Sequence, residues 1–241
     1  MILRKELYSI FITWVLGTCL TGVAHARLDD TQLRQELTFA YRPIKPLTLT
    51  GDFRLDLKDN ISTFRRNNFE LGVEYEALKW LKVFTSYRFI TSYEKDKHRF
   101  ALGFSAKEKT TNKKFSFQFR TKLEYESDYL DRDYLKKEAP DWVLRLRGKF
   151  QYEPIKKISL YTFSESFAQN FSSQYRFYKM RYGIGISYEP KKRHTLSLEY
   201  YYQHEFYPKK PEQIQVIGVG YEYELYKKKK NSKESKPAET L

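Results

Sequence analysis

Residues 178–188 sort strictly by parity. Tyr178, Met180, Tyr182, Ile184, Ile186 and Tyr188 would share one face of a β-strand, and Lys179, Arg181, Gly183, Gly185 and Ser187 the other. The same alternation recurs almost to the C-terminus, in segments of about ten residues or more. Strands of soluble sandwiches are typically ~5–6 residues long, whereas a tilted strand needs ~9–11 to cross a bilayer. A negative mean hydropathy is no obstacle, because such strands confine their apolar half to one face. The pattern therefore predicts an all-β, antiparallel, up-and-down transmembrane β-barrel.

Strand-like segments are expected at approximately 34–42, 47–58, 64–76, 81–91, 98–107, 115–127, 142–153, 158–167, 176–189, 194–205 and 213–226. Short turns alternate with longer or more polar connections, the largest at 128–141. That asymmetry fits outer-membrane barrels, whose short turns face the periplasm. Bacterial barrels normally have an even strand count, so a further short strand within residues 27–33 makes about twelve the expectation and ten the alternative.

The ends of the chain point the same way. Arg4 and Lys5 precede a largely apolar stretch from Leu7 to Val23, and Ala24-His25-Ala26 is a small-x-small cleavage site. Residues 1–26 are thus expected to be a cleaved signal peptide. The rivals are an uncleaved anchor and a lipoprotein built on Cys19, where Thr18 fits the lipidation pattern poorly. Cys19 is the only cysteine, so the exported chain has no disulfide and no thiolate metal site. Residues 27–226 would form the barrel, and 227–241, with four consecutive lysines and then polar residues, a periplasmic tail.

Net charge is +14 and aromatic residues make up 17% of the chain, a combination also met in nucleic-acid binders. The export signal argues against that partner. Basic turns beside lipid headgroups or lipopolysaccharide phosphates are the simpler reading. Parity places Leu37, Phe39, Tyr41, Phe69, Leu71, Phe100, Leu102, Phe117, Leu146 and Val219 among the lipid-facing residues, with tyrosines such as Tyr41, Tyr75, Tyr125, Tyr188 and Tyr223 near strand ends as an aromatic girdle.

The opposite face carries many ions, which cannot enter a dry core unpaired and so must line a watery lumen. Arg120, Lys122, Arg145, Arg147 and Lys149, joined by Lys179 and Arg181, make a basic patch there. Like charges raise the local potential, so the lumen, if open, should be narrow and prefer anions.

Several phrases carry a family resemblance. They are 178–188 running through Lys191-Lys192-Arg193-His194 into 196–203, Phe69-Glu70-Leu71-Gly72-Val73-Glu74-Tyr75, Lys79-Trp80-Leu81-Lys82 and Lys97-His98-Arg99-Phe100. Over about residues 33–226 the chain resembles the uncharacterised family called domain of unknown function 2490. The resemblance implies an outer-membrane barrel and transfers no catalytic residue, substrate or cofactor. Gly218-Val219-Gly220-Tyr221-Glu222-Tyr223 also resembles the C-terminal signal read by the barrel assembly machinery, an expected partner during biogenesis.

No chemical motif accompanies these features. His194, Ser197 and Glu199 superficially offer base, nucleophile and carboxylate, but His194 has the opposite parity from the other two. His98 and His204 fall near the long loops without a nucleophile motif. Two functions remain: a non-enzymatic channel or structural barrel without cofactor, and an outer-membrane enzyme acting on phospholipid or lipopolysaccharide.

Overall fold

Eleven strands occur in a computed structural model that describes residues 29–93, 96–127, 141–171, 174–206 and 213–226. They are β1 (Asp30–Ile44), β2 (Leu47–Lys58), β3 (Thr63–Leu78), β4 (Leu81–Ser92), β5 (Lys97–Lys109) and β6 (Phe115–Ser127), then β7 (Asp141–Ile155), β8 (Ile158–Phe171), β9 (Gln174–Lys191), β10 (His194–Glu205) and β11 (Gln213–Tyr226). Each corresponds to a segment read from alternation. The signal peptide expected at 1–26 and the tail expected at 227–241 lie outside the described residues.

Consecutive strands pair antiparallel, and β1 closes the barrel against β11 in parallel, from Asp30↔Ile214 to Arg42↔Tyr226. The parallel seam follows from the count. An odd number of strands joined by hairpins leaves the first and last running the same way, so only parallel pairing can close the ring. Asp30 to Leu33, expected to supply a twelfth strand, instead open β1. The count is therefore eleven, between the ten and twelve that an even rule allowed.

Burial is inverted relative to a water-soluble protein. Leu102 and Ile184 are 60% and 61% exposed, while Asp56 and Glu124 are only 2% exposed inside the barrel. Apolar side chains outside and ions inside suit a wall whose outer face meets hydrocarbon. On the outer face, Phe115 stacks on Tyr152 at the short-turn end of β6, and Tyr125 packs on Trp142 ten residues further on. Ten residues at about 3.3 Å each, tilted by about 40°, span roughly 25 Å, the height of the apolar band of such barrels.

Parity fails at one expected position. Phe167 pairs with Lys179 and Ala168 with Phe177, so Tyr178 is the extra residue of a β-bulge. It lines the lumen beside Lys179 and packs edge-on against Phe167. Tyr178 therefore leaves the lipid face assigned to it by alternation, and Phe177 takes that face, 53% exposed.

Candidate functional site

The lumen holds a cavity of about 620 Å³ that draws side chains from all eleven strands. Twelve of its lining residues are Arg or Lys and eight are Asp or Glu. Several of these ions are joined in one chain of pairs. Arg88 bonds Glu70, and Lys122 reaches both Glu70 and Glu124 at 3.3 Å. Arg145 then donates to Glu124 and to Glu165, each at 2.7 Å, while Arg181 sits 3.5 Å from Glu165. Two of the ion pairs between cavity-lining residues skip intervening strands: Lys122–Glu70 links β6 to β3, and Arg147–Glu199, at 3.4 Å, links β7 to β10. Side chains that meet across non-adjacent strands narrow the lumen.

All seven residues of the expected basic patch line this cavity, in two electrostatic classes. Lys122, Arg145, Arg147 and Arg181 each have a carboxylate within ion-pair distance. Among the described residues, Arg120, Lys149 and Lys179 have none and rest on aromatic faces instead. Arg120 lies 4.1 Å from the Phe84 ring, Lys149 3.7 Å from Tyr161 and Lys179 4.7 Å from Phe167. A ring face attracts a cation without cancelling its charge. These three cations thus face the lumen without a carboxylate partner within ion-pair distance among the described residues.

The aromatic wall escaped the sequence reading. Tyr161, Phe163 and Tyr201 are buried inside with Ile214 and Val216, because β8 puts its rings inward and Thr162, Ser164 and Ser166 on its other face. Room for them comes from β9. Phe163 pairs with Gly183 and Tyr161 with Gly185, and any Cβ at either glycine would collide with those rings. The Gly183-x-Gly185 spacing on a lumen face was the available signal. Tyr161 Oη in turn donates to Glu199 at 3.1 Å.

Two carboxylates in the lining also have no cation within ion-pair distance among the described residues. Asp52 accepts from Thr38 Oγ1 at 2.5 Å, and Glu222 projects from β11.

Among the described residues, His98, His194 and His204 lie apart from one another. His194 lies 2.8 Å from Tyr221 Oη at a barrel end, while Glu199 is engaged in the lumen with Arg147 and Tyr161. His98 Nδ1 lies 2.6 Å from Tyr87 Oη, on the same face as exposed Phe100 and Leu102. His204 packs against Phe206. Among the described residues no group of three or more His, Cys, Asp or Glu could hold a metal ion.

The family model described as "Protein of unknown function (DUF2490)" matches residues 33–215. No curated protein matches the chain. Among solved structures it is similar to the NanC porin at 13% identity, with 72% of this chain and 85% of that chain covered and a TM-score of 0.48.

Proposed function

The chain belongs to the DUF2490 family, whose function is unknown, and on that premise we propose that it is a non-enzymatic outer-membrane channel, narrow and selective for anions. Its short turns face the periplasm, the 1–26 leader is cleaved, and the barrel assembly machinery inserts it. The carrying observation is that Arg120, Lys149 and Lys179 face the cavity with no carboxylate within ion-pair distance among the described residues, in a lining of twelve cations against eight anions. Low-dielectric walls focus such a surplus and raise the local anion concentration.

Planar-bilayer recording of the purified protein across a potassium chloride gradient tests this. The reversal potential should show anion preference, strongest at low salt, where screening is least. Cation preference, or no conductance, would overturn the proposal. Arg120→Glu with Lys149→Glu should weaken or reverse the preference. Reversing Arg145 and Arg147, the pair that alternation alone would select, is a poorer choice because Arg145 holds Glu124 and Glu165 in place.

A further inference from the structure

We propose that the lumen is a dipolar filter that takes small zwitterionic solutes, holding the anionic end of the solute on one wall and its cationic end on the other. This rests on the channel reading and names its solute class.

The cavity's charges are segregated around the ring. In an eleven-strand circle, β1 lies opposite the boundary between β6 and β7. The boundary strands carry Arg120 directly across from Arg147 and Lys122 directly across from Arg145. The far wall, centred on β1, carries Glu222, Thr38 and Asp52 in one registered row, and Asp52 faces Glu70 on β3. Like charges placed directly opposite one another destabilise a sheet, so stability alone does not select either arrangement. Glu124 bridges Lys122 and Arg145, but among the described residues no such bridge joins Arg120 and Arg147, or Asp52 and Glu222.

The charges left over face the lumen. Arg120 and Glu222 are exposed although both line the cavity. Strands spaced about 4.8 Å apart and tilted by about 40° enclose a backbone ring roughly 22 Å across when there are eleven of them. Side chains from both walls narrow that to the dimensions of one small solute. A monopolar anion meets attraction from one wall and repulsion from the other. A solute with separated ammonium and carboxylate groups is attracted by both and lies across the passage, and a neutral polyol gains from neither.

Liposome swelling with the purified full-length protein reads this out, using γ-aminobutyric acid as zwitterion, erythritol as neutral solute and gluconate as anion. The zwitterion should enter faster than erythritol, on the order of a fewfold to tenfold. Asp52→Asn with Glu222→Gln should abolish that advantage while increasing anion preference in bilayers. Arg120→Gln with Lys149→Gln should abolish both. Heat-dependent gel mobility checks that each variant is folded, and the unmodified protein decides the matter if one is not. Equal entry of zwitterion and neutral solute into liposomes carrying a conducting, anion-selective protein overturns the filter and leaves the channel standing. Entry of no solute overturns the filter, and the bilayer recording alone decides whether the channel stands.

Discussion

Arg145 and Arg120 bring the same charge into the same cavity, but their surroundings differ. Arg145 is clamped between Glu124 and Glu165, whose side chains are 3% and 6% exposed, whereas Arg120 lies on the Phe84 ring. Removing one partner of a buried ion pair leaves an uncompensated charge and costs about 3–5 kcal/mol, while a cation on a ring contributes about 0.5–2 kcal/mol. Arg145→Met should therefore destabilise the barrel clearly more than Arg120→Met, as measured by urea unfolding in lipid. Equal losses would mean that the Glu124–Arg145–Glu165 clamp does not form. That both arginines face inward was legible, because each alternates with apolar neighbours such as Phe119, Leu144 and Leu146. Which of them is neutralised was not. Glu124 and Glu165 reach Arg145 from the two flanking strands, and alternation fixes a side chain's face without fixing strand register.

At the scale of the strand, the two faces of β6 make opposite demands. Phe117 packs against Phe150 on the outer face, and Gln118 donates to Ser105 Oγ at 2.7 Å inside. Phe117→Arg, and Leu146→Arg on β7, should each cost about 2–4 kcal/mol near the bilayer midplane and impair folding. Gln118→Arg should cost much less. Heat-dependent gel mobility after refolding into lipid vesicles separates these outcomes, and equal damage from all three would refute the face assignment. Strand position was readable wherever alternation is clean, as in β5 and β6. It failed at Tyr178 because a bulge inserts one residue into the period and leaves no mark in composition. The inner aromatic wall was missed for a related reason. Tyr161, Phe163 and Phe167 alternate with Thr162, Ser164 and Ser166, which reverses the usual sense of apolar and polar faces.

The molecule as a whole is defined by its seam. Alternation shows which way side chains point and is silent on which strands meet at closure, so an even count was the natural expectation and the parallel β1–β11 pairing the unexpected result. The register places Leu37 beside Tyr221. With both replaced by cysteine in the leader-free chain, which has no other thiol, oxidation should produce an intramolecular cross-link detectable on a reducing versus non-reducing gel. A twelfth strand between β1 and β11 would hold these positions about two strand spacings, roughly 9–10 Å, apart and prevent the bond.

The odd count reaches beyond the wall itself. Asp29 is tied to Gln213 at the rim of the long connections, while Tyr226 sits beside Arg42 at the rim of the short turns. An even barrel is a round trip that brings the chain back to the compartment it left. This one is a one-way crossing. Residues 29 and 226 stand at opposite rims, so the two ends of the wall would lie on opposite faces of any layer such a barrel crosses.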